Sequence, residues 1–357
     1  MREFGIYLHI PFCRSRCDYC GFLSSCDFSR EEEYFEGLCG EIAASRENGI
    51  CATLYVGGGT PSSVSPARLS RAVGAVREKF PFSEGGERTV ECNPDSFDRT
   101  RAAAYAEMGF NRVSLGVQSF SNRLLAGVGR RHDAETAMRA AELALEFFGN
   151  ASVDLMLGLP GQGEREVRED LARIRELGIP HISVYGLKVE EGTPLFSRGY
   201  APDEDLCADL YELCLGELER AGLMRYEVSN FAKPGFESRH NLRYWRREDY
   251  LGFGAGAHSC VGNRRFWNGG LDEFLRGEGG GEERLSPEEV EYETIILALR
   301  TREGLERGAF ERKFGCDFAK KYADAVKKCG RFLEVTEEFV RVSPEGFYLL
   351  NSLLVNF

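Results

Sequence analysis

Six short β-branched runs, each followed by a longer amphipathic stretch, constrain this chain more than any other feature. The runs are 5–10, 52–56, 88–92, 112–117, 151–157 and 181–187. Stretches with helical period fall at about 30–47, 65–79, 98–107, 133–148 and 164–177, with 203–221 after the sixth run. Ser65 stands as an N-cap before Pro66 at a first helical position, and Asp133 does the same before Ala134. Six β/α units in series predict an α/β fold with a parallel sheet, either open and doubly wound or curled into part of a barrel.

Polar or glycine-rich residues arrive at the end of every run. A cysteine loop follows the first, and Gly57-Gly-Gly-Thr-Pro61 follows the second. Glu91 with Asn93 closes the third and Gln118 the fourth; Asp154 with Gly158-Leu-Pro-Gly161 marks the fifth and Tyr185 the sixth. Ligands of such sheets bind at the carboxyl ends of the strands. Six consecutive strands delivering polar groups there predict one shared site.

From about 231 the pattern changes. Glycine-rich and aromatic segments lead to a polar linker, Gly277-Glu-Gly-Gly-Gly-Glu-Glu283, and Ser286-Pro287 starts a new helix. The expected organisation is a strand–helix domain over 1–230, a connecting segment over 231–285 and a small α+β, winged-helix-like unit over 286–357. A net charge of −12 argues against a nucleic-acid partner, whose phosphates call for basic patches. No apolar run approaches the roughly 20 residues of a membrane span. Twelve cysteines without a secretory leader point to a reducing cytoplasm. Cys39, Cys51, Cys92, Cys207 and Cys214, scattered through helix- and strand-like settings, read as small buried side chains.

Three thiols fall within eight residues in Cys13-Arg-Ser-Arg-Cys17-Asp-Tyr-Cys20. A cubane iron–sulfur cluster needs a ligand for each of its four irons, so three cysteines leave one iron open to a small molecule or to electron chemistry. A structural zinc site would need a fourth ligand, such as His9 or Cys26, and zinc motifs usually come as paired knuckles. The cluster is the expected occupant.

With GGGTP after the second strand, this loop resembles the radical SAM superfamily. Tyr7-Leu-His-Ile-Pro-Phe-Cys13, Val113-Ser-Leu-Gly-Val-Gln-Ser-Phe120 and Asp154-Leu-Met-Leu-Gly-Leu-Pro-Gly161 resemble its branch containing oxygen-independent coproporphyrinogen III oxidase. Glu227-Val-Ser-Asn-Phe-Ala-Lys-Pro-Gly235 and His240-Asn-Leu-Arg-Tyr-Trp245 narrow the resemblance to the family of oxidase-like heme chaperones, HemW. It implies an incomplete (β/α)6 barrel and a 4Fe-4S cluster held by Cys13, Cys17 and Cys20. S-adenosyl-L-methionine would chelate the open iron. Gly57, Gly58 and Gly59 would let the backbone approach its amino group, with Thr60 and Pro61 fixing the loop exit. Glu91, Gln118, Arg130 and Asp154 would be further cofactor contacts, Arg130 by a fork to the methionyl carboxylate. Tyr7 and Tyr19 would flank cluster and cofactor. The superfamily's chemistry is reductive cleavage of the cofactor to a 5′-deoxyadenosyl radical.

Two departures from the oxidase put propionate decarboxylation in doubt. Its cluster motif continues into a further cysteine two residues on, where this chain has Gly21 and Phe22, and only four residues precede Gly5. Heme binding needs an axial nitrogen, a flat apolar surface and cations for the propionates. His240 would be the ligand, Tyr244 and Trp245 the surface, and Arg239 or Arg243 the propionate partners; His258 is a rival ligand. The expected function is a cytoplasmic heme chaperone passing heme to an acceptor hemoprotein. The alternatives are coproporphyrinogen III dehydrogenation or radical chemistry on another substrate.

Overall fold

The structure, a computed structural model, describes residues 1–357. The six expected strands form: β1 (Glu3–Ile10), β2 (Ile50–Gly58), β3 (Phe82–Cys92), β4 (Arg112–Gln118), β5 (Ala151–Leu157) and β6 (His181–Gly186). They pair in sequential order and in parallel, each crossing to the next through at least one helix. The five intervening helices expected from the sequence lie at Glu31–Ala44, Pro66–Lys79, Arg99–Met108, Ala134–Phe148 and Glu164–Leu177.

Side-chain alternation explains why the strands hold this position. Phe4, Ile6, Leu8 and Ile10 of β1 are fully buried, as are Leu54, Val56, Val90, Val113, Leu115, Val117, Val153, Ile182 and Val184. With the helices they form the main core. The residues between them are of another kind: Thr53 and Tyr55; Glu87, Thr89 and Glu91; Arg112, Ser114 and Gln118; Ser152 and Asp154; His181, Ser183 and Tyr185. Parallel sheets usually bury apolar residues on both faces. Here the second face is polar, which marks it as the wall of a site.

The segment 231–285, expected only to connect, builds sheet together with the residues just before it. β7 (Met224–Arg225) and β8 (Asn230–Ala232) continue antiparallel beyond β6. On the other side β9 (Tyr250–Phe253) pairs in parallel with β1. β10 (His258–Val261), β11 (Arg264–Trp267) and β12 (Gly281–Arg284) follow as an antiparallel meander. The result is a mixed sheet of twelve strands with free edges at β12 and β7, not closed into a barrel.

Helix Arg239–Trp245 carries the HNLRYW string against this polar face. The buried Glu87 carboxylate accepts from the backbone N–H of Arg239 at 3.0 Å and of His240 at 2.9 Å. It thereby satisfies two amides that no helical turn can reach and places a negative charge where the helix dipole favours one. The C-terminal unit has its own core around Phe310, Phe318 and Val340. Its sheet is three antiparallel strands, β13 (Leu305–Glu306), β14 (Leu333–Val335) and β15 (Phe339–Val342), with β15 in the middle. No helix is long and apolar enough to cross a membrane.

Candidate functional site

A cavity of about 410 Å³ opens at the carboxyl ends of the parallel strands and runs down their polar face. Cys13, Cys17 and Cys20 all line it. Main-chain bonds staple their loop in place: Cys13 N–H to Ser25 O at 2.9 Å, Asp18 N–H to Val128 O at 3.1 Å, and Cys20 N–H to Cys17 O at 3.1 Å. The Cys13 sulfur lies 3.2 Å from Thr60 Oγ1. Burial raises the Cys13 and Cys20 thiols above their ordinary range, and a coordinating metal would remove those protons.

The donor set suits a cluster better than a single ion. No three cysteine, histidine or carboxylate groups converge on one point, as zinc would need. A cubane asks something different, one thiol for each of three separate irons. Neither candidate for a fourth zinc ligand is available beside the thiols. Cys26 is exposed and off the cavity wall. His9 has both ring nitrogens engaged, by Tyr7 Oη at 3.1 Å and Leu23 O at 3.1 Å.

The glycine loop explains itself by close approach. A Cβ on Gly57 would sit 2.8 Å from Glu91 Oε2, and one on Gly59 would sit 2.8 Å from Phe12 O. Gly58 adopts φ +110°, and a Cβ there would also strike the His9 ring. Thr60 is buried and takes a bond from Asn93 Nδ2 at 3.1 Å. Glu91 is held by Tyr55 Oη, which donates at 2.7 Å, and by the Gly58 N–H at 3.2 Å. Burial pushes its carboxyl up to about 7, against the Tyr55 bond and with help from Asp154. Asp154 itself is pushed up to about 6 by burial, opposed by a bond from Ser183. Two carboxyls near neutrality face one space.

Arg130 turns its fork to the wall. It donates to Asn93 Oδ1 at 3.0 Å, to Gly116 O and to the Cys17 sulfur at 3.5 Å. Gly116 makes this possible, since a Cβ there would lie 3.0 Å from Asn93 Oδ1. Gln118 ends β4 in the left-handed region, φ +71°, beside a break in the β4–β5 register. Its Oε1 accepts from Tyr185 Oη at 2.8 Å. Tyr19 lines the cavity; Tyr7 does not, and stacks instead on Tyr55 with ring centroids 6.2 Å apart.

His240 is placed otherwise than a ready heme ligand. It is 1% exposed, with Nδ1 2.8 Å from Thr53 Oγ1 and Nε2 2.8 Å from Tyr244 Oη, and it stacks on Tyr55. Burial, aided by the Arg243 and Arg112 charges, lowers its pKa to about 3. The HNLRYW helix seals the lower end of the cavity, where Asn241 joins the lining. His258 is exposed at the top of β10 and stacks on Trp267, 5.9 Å between centroids. Sequence reasoning passed over Tyr55, Arg112, Ser114, His181 and Ser183, which also line the cavity. The period of two, run backward from Glu91, Gln118, Asp154 and Tyr185, finds Arg112, Ser114, His181 and Ser183.

A model of the radical SAM superfamily matches residues 7–185, and one of the HemN C-terminal domain matches residues 285–349. The heme chaperone HemW of Lactococcus lactis is 35% identical, covering 98% of this chain and 96% of its own. That of Bacillus subtilis is 34% identical and covers 97% of each. Coproporphyrinogen III oxidase (HemN) from Escherichia coli shares the fold, with a TM-score of 0.86 over 99% of this chain and 90% of that one at 23% identity. The thiols, the glycine loop and the polar sheet face thus sit in a chain that belongs to the radical SAM superfamily and, within it, to the HemW family.

Proposed function

We propose that this protein is a cytoplasmic heme chaperone that binds a 4Fe-4S cluster, S-adenosyl-L-methionine and heme, and passes the heme to an acceptor hemoprotein. The observation that carries this reading is the match to heme chaperones along nearly the whole length of both chains. Cys13, Cys17 and Cys20 would hold the cluster, which would supply an iron open to the methionyl end of the cofactor and a source of one electron. Gly57, Gly58, Gly59, Thr60, Glu91, Gln118, Arg130 and Asp154 would shape the cofactor's place. The residue two beyond Cys20 is Phe22, 70% exposed, which supports a chaperone over the oxidase-like decarboxylation.

Axial ligation needs an imidazole nitrogen that is free. His258 offers one directly. His240 offers one only after Thr53 or Tyr244 gives way, which would open the lower end of the cavity. Heme titration followed by transfer to an apo-hemoprotein tests the reading: a stable complex and transfer are expected. Loss of binding in His258→Ala assigns the ligand to β10, and loss in His240→Ala alone assigns it to the helix. A chain that never binds heme, or one that converts coproporphyrinogen III to protoporphyrinogen IX under anaerobic reduction, overturns the proposal.

A further inference from the structure

A second cavity, of about 230 Å³, lies between the end of the HNLRYW helix and the C-terminal unit. It shares no residue with the cavity at the strand ends. Three aromatic side chains from separate elements line it: Trp245 from the helix, Phe310 from helix Arg307–Phe314 and Phe339 from β15. Ala298 and Leu305 add aliphatic wall. Tyr244 packs edge-on against His240 and Tyr250, whereas the neighbouring Trp245 indole pairs with no other ring of the protein. A helix of seven residues thus presents Asn241 to the main cavity and Trp245, one turn on, to this one.

The charged groups around the second cavity are unequally matched. Arg246 donates to Glu303 at 2.8 Å, and Glu306 is met by Arg312 at 3.3 Å. Lys313 has only the Thr294 hydroxyl, 3.3 Å away, and no carboxylate. Its ammonium carries three donors, so one lining cation is left for an anion from outside. The two glutamates disfavour a ligand with more than one negative charge. An apolar cavity of about 150 Å³ accepts benzene, so this one has room for a single ring with a short acidic arm. Offset or edge-on contacts with the three rings favour a flat aromatic ring over a saturated one.

We propose that this cavity binds a small aromatic monocarboxylate, its ring among Trp245, Phe310 and Phe339 and its carboxylate on Lys313. The ligand bridges the helix that closes the main cavity and the C-terminal unit. Nothing in this site draws on heme, so either reading can fail without the other. The test uses the full chain, cluster reconstituted anaerobically and saturated with S-adenosylmethionine, labelled with 5-fluorotryptophan. Its two tryptophans give two fluorine resonances, and Trp267→Phe removes the one that is not Trp245. Phenylacetate should shift the Trp245 resonance with a Kd of about 1 mM or below, the scale for about ten heavy atoms, and leave that of Trp267 in place. It should also raise the thermal midpoint, as a ligand of the folded state does.

Phenylacetamide, which lacks the charge, and cyclohexylacetate, which lacks the flat ring, should each bind about threefold more weakly or worse. Lys313→Gln, at an exposed position, should fold, weaken phenylacetate about threefold and bring acid and amide level. Ala309→Leu fills the cavity with a good helix former and should abolish binding without lowering the midpoint. No shift of the Trp245 resonance at about 10 mM phenylacetate would overturn the proposal. So would equal binding of acid and amide by the native chain, unchanged affinity in Lys313→Gln, or binding that survives in Ala309→Leu.

Discussion

The two ends of the cavity are built from similar residues by opposite means. At the upper end short loops leave chemistry available: Cys17 and Cys20 are partly exposed, and two carboxyls face open space. At the lower end the carboxylate and histidines described are consumed by other groups. Glu87 caps two amides, His240 is clasped by Thr53 and Tyr244, and His181 lies 2.7 Å from Ser152 Oγ and 2.8 Å from Tyr226 Oη. A histidine below and a cysteine above both look functional by type. Only the count of free lone pairs separates them.

The contrast breaks most sharply at the thiols. Cys17→Ser should abolish the brown chromophore after anaerobic reconstitution, read as absorbance with iron and sulfide content. Cys26→Ser should keep all three, and its loss of the chromophore would show that the upper end extends beyond the cavity wall. The lower end should instead respond in stability. Glu87→Ala leaves one buried and one part-buried amide without their acceptor and should cost about 3 kcal/mol in urea unfolding. An unchanged midpoint would mean that the helix is held by packing alone.

The smallest effect is a slope. His240 is held near a pKa of about 3 when folded and returns to about 6.5 when unfolded. Below about pH 6.5 the unfolded chain takes a proton that the folded chain refuses, so this contribution to stability is lost as pH falls toward about 3. His240→Gln removes it. The native chain should lose about 2 kcal/mol more than the variant between about pH 7 and about pH 5. Parallel slopes would show that the ring protonates freely and that the lower end is open.

The upper end was the more legible in sequence, for a physical reason. Its residues lie in loops directly after strands whose β-branched runs are dense enough to read, and adjacency in sequence carries adjacency in space. The lower end joins distant positions: Thr53 meets His240 across 187 residues, and Glu87 meets its amide across 153. Nothing local to HNLRYW signals either partner, so the string alone does not tell that its histidine is buried between them. β9 to β12 were missed similarly. Each spans four residues, and β9 carries a glycine at its centre, too short a run to announce a strand before its neighbour is known. Arg112 read only as the start of a strand, because the carboxyls it faces, Glu91 and Asp154, lie on other strands.

Gln118 bears a consequence of its own. A non-glycine residue held in the left-handed region stores on the order of 1–3 kcal/mol of backbone strain. Glycine at that position would relax the chain, yet it would surrender the amide that Tyr185 aligns at the mouth of the cavity. Global stability and local recognition therefore pull against each other at one residue, and at the end of β4 the fold has settled on recognition.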